Sequence, residues 1–110
     1  MKANISIAKS FSEAPAGRYL TDGPYSGQRF REEILFPALQ ENDSVAVDLD
    51  GTLGYGSSFL EEAFGGLIRE QGMTLNELNN KLQIKSSRQL YLRRVMQYLD
   101  DAEQRRCGKK

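Results

Sequence analysis

Hydrophobic positions along the chain change their period several times, and each change marks an element. Across positions 4–11, Ile5, Ile7 and Phe11 fall on alternate residues, the spacing of a half-buried strand. Positions 14–27 carry Pro15, Gly17, Gly23, Pro24, Ser26 and Gly27, turn chemistry interrupted by Arg18-Tyr19-Leu20, which predicts a hairpin with a short edge strand. Over 28–40, Phe30, Ile34, Leu35, Ala38 and Leu39 recur at helical spacing, and Pro37 is expected to break or kink that helix near Leu35 or Phe36. Positions 44–50 then alternate as a central strand, with Val45, Val47 and Leu49 on one face and Ala46, Asp48 and Asp50 on the other.

After a connector over 52–56, Phe59, Leu60, Ala63, Phe64, Leu67 and Ile68 make the apolar stripe of a helix over 58–71. Ser58 with Glu61 reads as its capping box and Gly72 as its left-handed stop. Gly65-Gly66 in mid-helix costs about 1 kcal/mol per glycine against alanine, which predicts a close approach to the sheet or a partner. Thr74 and Glu77 cap a short helix, residues 82–84 form another strand, and Ser86 with Gln89 caps a last helix running to about Gln104. Leu92, Val95, Met96, Leu99 and Ala102 are its inward stripe. The expectation is an α/β fold, a small mixed four-stranded sheet covered by helices, in a single domain over 1–110 with no internal repeat.

Composition narrows the function. At 110 residues, 39% hydrophobic and 27% charged, the chain has the make-up of a globular domain that folds alone or as a small oligomer, a homodimer included. Fifteen basic and fifteen acidic residues cancel, so no net field draws nucleic acid or an anionic membrane to the whole surface. Arg105, Arg106, Lys109 and Lys110 are expected to form a solvated tail beyond the last helix, with binding of nucleic acid through them as a third reading. The single Cys107 forms no intrachain disulfide, and no apolar run approaches a membrane span or secretory signal, so a cytoplasmic location is the expectation. Histidine is absent, which removes Ser-His-Asp and Cys-His activation and the usual imidazole metal ligands. Arg18, Arg29 and Arg31 read as cations on solvated faces.

The most specific segment is 45–62. Its Asp48-Leu-Asp50-Gly-Thr52 resembles the opening motif of the haloacid dehalogenase superfamily, which implies a magnesium-dependent phosphatase with Asp48 as nucleophile and Asp50 as general acid. That family's later basic residue and second acidic pair, each at a strand end, have no counterpart here, since Asp100-Asp101 falls inside the last helix.

The same segment resembles the STAS domains, anti-sigma-factor antagonists that dock onto a histidine-kinase-like ATPase. The resemblance places Asp48 as the strand acid and Ser57-Ser58 at the phosphorylatable serine, while Gly56 stands where that family has an acid and Phe59 where it has glycine. Arg18-Tyr19, Gly23-Pro24, Ser26-Gly27, Phe30-Arg31 and 58–67 resemble more closely the STAS-like domain family of unknown function. Together these resemblances imply a bacterial, non-catalytic regulatory or adaptor domain without cofactor. Its expected contact region is Gly54, Tyr55, Gly56, Ser57 and Ser58, with Asp48 and Asp50 behind it. The elementary reading of those residues is quieter: Ser58 caps a helix, Asp48 bonds nearby backbone N–H groups, and Asp50-Gly51 is a turn.

Overall fold

The computed structural model describes residues 1–108, running β1 (Lys2–Ser6), α1 (Ile7–Ser10), α2 (27–41), β2 (Ser44–Asp48), α3 (57–69), α4 (Leu75–Lys81), β3 (Leu82–Lys85) and α5 (Gln89–Gly108). The three strands are all parallel, in the order β1-β2-β3. The sheet is therefore neither mixed nor four-stranded. The expected hairpin is absent: residues 18–28 are held by local bonds instead, with the Arg18 and Tyr19 amides donating to Asp22 Oδ2 and a single tight turn at Leu20–Asp22. Side-chain capping satisfied a backbone that a strand partner was expected to satisfy.

The first strand is also shorter than its alternation implies. Ser6 accepts from the Lys9 amide and starts α1, so Ile7 reaches the core from a helix, fully buried. In β2 the faces are as the pattern requires: Val45, Val47 and Leu49 are buried, and Ala46 and Asp48 lie on the other side. Register places Ser6, Asp48 and Lys85 in one row across the sheet and Asn4, Ala46 and Gln83 in the next. The helices pack on the Val45–Val47 face, and the opposite face is polar and open.

The two helices that follow β1 and β2, α2 and α3, each contain a wider π turn, Arg31–Leu35 in α2 and Glu61–Gly65 in α3. In α2 this turn lies directly before Pro37, whose ring needs room against the preceding turn, and the helix continues to Glu41 instead of breaking. Between the helices Arg31 is only 2% exposed, not on a solvated face. Its Nη1 donates to the Glu62 carbonyl at 2.6 Å and to the Glu62 carboxylate at 2.8 Å. Gly66 makes this possible, because a Cβ there would collide with the Arg31 guanidinium. Gly27 similarly lets α2 approach α3, a Cβ there falling 2.5 Å from the Phe59 carbonyl. The close neighbour explaining the Gly65-Gly66 pair is thus helix α2 and, at Gly65, the Glu61 carboxylate, not the sheet.

Around this pair Arg18 reaches Glu61 and Glu62, and Arg69 reaches Glu61 at 2.7 Å and Glu62 at 3.0 Å. Glu61 is hence an ion-pair partner, not half of a capping box. Burial raises its pKa, but the hydrogen bonds and charges of Arg69 and Arg18 outweigh that and hold its carboxyl below the usual range.

The Thr74–Glu77 box forms as expected, and Gly72 ends α3 at φ +76°. Ser86 instead accepts from the Arg88 amide, and α5 starts at Gln89. The last helix extends past Gln104 to Gly108, so Arg105 and Arg106 belong to it and Arg106 pairs with Glu103, while Lys109 and Lys110 lie outside the described residues. Val95, Leu99 and Ala102 are buried, but Met96 is 46% exposed. Among the described residues no helix is long and apolar enough to cross a membrane.

The buried pair makes a direct prediction. Glu62→Leu leaves the buried Arg31 with only its longer, 3.6 Å contact to a carboxylate, that of Glu32, and is expected to cost about 3–5 kcal/mol, and Gly66→Ala displaces the same guanidinium at a cost of about 2–3 kcal/mol. Denaturant unfolding of both variants measures this; a loss below about 1 kcal/mol in each contradicts it.

Candidate functional site

The loop between β2 and α3 leaves the carboxyl end of the sheet and is tied down at several points along its length. Asp48 Oδ1 accepts from the Asp50 amide at 2.9 Å, closing an Asx turn. Asp50 in turn accepts from the Ser87 amide at 2.9 Å and from the Ser87 hydroxyl at 3.0 Å, which fixes this loop to the one before α5. The Leu53 amide donates to the Glu13 carbonyl at 2.8 Å. Gly51 and Gly54 adopt φ +96° and +142°, conformations that let the chain double back between these anchors.

Tyr55 closes the loop from inside. It is buried, its hydroxyl donates to the Leu49 carbonyl at 2.7 Å, and its ring packs edge-on against Tyr91 and beside Phe59. Burial pushes its hydroxyl pKa up to about 12, so it remains a neutral donor. Tyr55 therefore supports the loop from the core side and presents no surface of its own. Phe59, fully buried, is the core anchor of the first helical turn.

Helix α3 opens at Ser57 with Gly56 as its cap, in extended conformation and without a side-chain bond to the helix. The structure thus corrects the expectation that Ser58 caps it. Ser57 and Ser58 are instead the first two helical residues, and both are exposed. No cap side chain covers the amides of this first turn, which together with the helix dipole favours negative charge there. In the loop that leads into this turn, Leu53 is 89% exposed. A shallow cavity of about 210 Å³ lies on the α5 side of the loop, between Asp50, Leu53, Gly54, Ser87, Arg88 and Tyr91.

Of the seven residues singled out from the sequence, Gly54, Gly56, Ser57 and Ser58 come together on this surface. Asp50 lies beside them, but its oxygens hold the Ser87 loop. Asp48 faces away: it shares the open polar face of the sheet with Ser6 and Lys85, over a cavity of about 400 Å³ that Asn4, Lys9 and Ser10 also border. The two carboxylates of the Asp-x-Asp motif are thus engaged as turn and loop ties. Among the described residues no three acidic, cysteine or histidine side chains group as a metal set. Sequence reasoning missed Leu53, although a lone leucine between glycines, with no periodic partner, is the signal that could have found it.

The bonds from Ser87 hold the Asp50 carboxyl below its ordinary pKa of 3.8. A depressed folded value means that this tie contributes stability above the unfolded pKa and loses it as pH falls through the folded one. The Ser87 amide is accordingly expected to stay bonded at pH 4 and to be released below it, and Asp50→Ala is expected to release it at all pH values. Amide shifts and exchange by NMR read both.

A family model described as a STAS-like domain of unknown function matches residues 26–89, a span that includes the two π turns, β2, the loop and both serines. Searches of curated proteins and of solved structures give no match.

Proposed function

Since the chain belongs to the family of STAS-like domains of unknown function, we propose that it is a non-catalytic regulatory or adaptor domain whose partner docks on the 53–58 loop and the first turn of α3. The observation that carries this reading is the contrast within the loop. Its backbone is held by Asp48, Asp50, Tyr55 and Glu13, while Leu53, Ser57 and Ser58 face outward. A surface fixed before binding loses little entropy when a partner arrives, and one exposed apolar side chain on the same segment as two hydroxyls is a small, specific contact.

The partner to test first is a histidine-kinase-like ATPase, the class to which the STAS resemblance points. Serine phosphorylation gives the loop a switch. A phosphate on Ser57 or Ser58 adds about −1.5 to −2 charges at the uncapped end of α3, where the dipole and free amides accept it, while an acidic partner surface is repelled. The cytoplasmic location expected from the sequence suits such a partner.

The test is incubation with the ATPase and ATP followed by intact-mass measurement. One added phosphate is expected, abolished by Ser57→Ala or Ser58→Ala, and Leu53→Asp is expected to weaken the unmodified complex by about tenfold or more. Absence of both complex and mass change removes this reading.

A further inference from the structure

Helix α5 follows β3 and packs against α3: Val95, Leu99 and Ala102 point into the core, and the Tyr91 flank meets Tyr55. Helical spacing puts Leu92, Met96 and Glu103 on the opposite flank. Glu103 is occupied there, accepting from the Leu75 amide at the start of α4. Nearer the start of α5 nothing comparable covers the flank: Leu92 is half-exposed and Met96 is 46% exposed.

The strand that leads into α5, β3, lies at one end of the strand order, with no further strand on its outer side among the described residues. On the core-facing side of this strand Leu82 and Ile84 are only half-buried, whereas Val45 and Val47 in the next strand are 1% and 0% exposed. An open edge strand, and an uncovered apolar flank on the helix that follows it, are together the features of a surface that takes a partner.

We propose that a second copy of this chain covers it, β3 pairing with its counterpart in antiparallel fashion to give one continuous six-stranded sheet. The strand is self-complementary in one register. With Ile84 on the two-fold axis, Ile84 meets its own copy on the core face, Leu82 faces Ser86, and Gln83 faces Lys85 on the polar face, so no like charges stand opposite. The helices agree. Arg93 and Asp100, both exposed, lie three residues before and four residues after Met96, so a two-fold-related α5 running the opposite way sets each against its opposite charge and the methionines against each other. This surface shares no residue with the 53–58 loop, and the proposal does not depend on the function assigned to that loop.

Sedimentation velocity of the full chain over a range of concentrations tests it. The expected result is a reversible dimer whose dissociation constant rises about tenfold or more in Met96→Glu, with far-UV circular dichroism and thermal midpoint unchanged. Arg93→Glu is expected to weaken it about fivefold, and the double variant Arg93→Glu/Asp100→Arg to restore it, since the swapped charges face each other again. A chain that stays monomeric at several hundred micromolar overturns the proposal, including the case in which the edge captures a different protein. A dimer indifferent to Met96→Glu overturns it equally, because it then forms through another face.

Discussion

The buried contact between Arg31 and Glu62 is the constraint from which the rest of the helix layer follows. Taking a guanidinium and a carboxylate out of water is costly, and the cost is offset only when both charges keep nearly full hydrogen bonding. Arg31 meets this condition in part: its Nη1 donates to both the carboxylate and the main-chain carbonyl of one residue, while its buried Nε has no partner. That double contact demands that α2 and α3 nearly touch, hence Gly27 against the Phe59 carbonyl and Gly66 against the guanidinium itself. The two π turns lie at the same level as the ion pair, and π turns re-aim the side chains around them. The remaining oxygens of Glu61 and Glu62 then bind Arg18 and Arg69, so the irregular segment over 18–28 and the far half of α3 are tied to the same centre.

With α3 fixed in this way, the position of its first turn is set from below by the ion-pair cluster and from above by the loop. Tyr55, Asp48 and Asp50 contribute to the loop without forming its surface: each directs its polar atoms to a backbone group elsewhere in the chain. The outward-facing part is left to side chains with no structural duty, Leu53, Ser57 and Ser58. A division between residues that hold a loop and residues that face solvent from it is what a docking surface requires, because mobility in the first set weakens contacts made by the second.

Much of the fold was legible in the chain. The alternation of Val45, Val47 and Leu49 located the central strand and its faces, and the Phe59–Ile68 stripe located α3, because both signals come from burial of one face. Thr74, Glu77 and Gly72 were legible for the same reason: a cap or a left-handed stop is set by atoms within a few residues. The errors share an opposite cause. Ser58 has the right spacing to Glu61 for a box, yet Glu61 is claimed by Arg18 and Arg69, which are 43 and 8 residues away. Arg31 looks like any surface cation until Gly66, 35 positions on, is placed beside it. The 14–27 segment has hairpin chemistry, but bonds from the Arg18 and Tyr19 amides to Asp22 compete with the ladder and prevail. Met96 fits the inward stripe of its helix by spacing, yet it lies at the margin of that stripe and is 46% exposed. For the site, the serines and glycines were readable as a loop opening a helix; Leu53 was not, since one apolar residue has no period.

Strand order adds the last step. A sheet ordered β1-β2-β3 advances in one direction only, and with crossovers of one hand the helices of both crossovers fall on one face. An open sheet develops its ligand crevice where the order reverses and helices diverge to opposite faces. Here no reversal occurs among the described strands, so the carboxyl ends of the strands open onto a loop surface. The features that would sit in a crevice are distributed instead: Asp48 on the polar face of the sheet, Asp50 between two loops, Ser57 and Ser58 on the outside of α3. Such a distribution suits recognition by a broad partner that meets the loop from outside. It also explains how a motif of two carboxylates around one residue, followed by Gly-Thr, becomes a pair of loop ties when the topology offers no cleft for them to line.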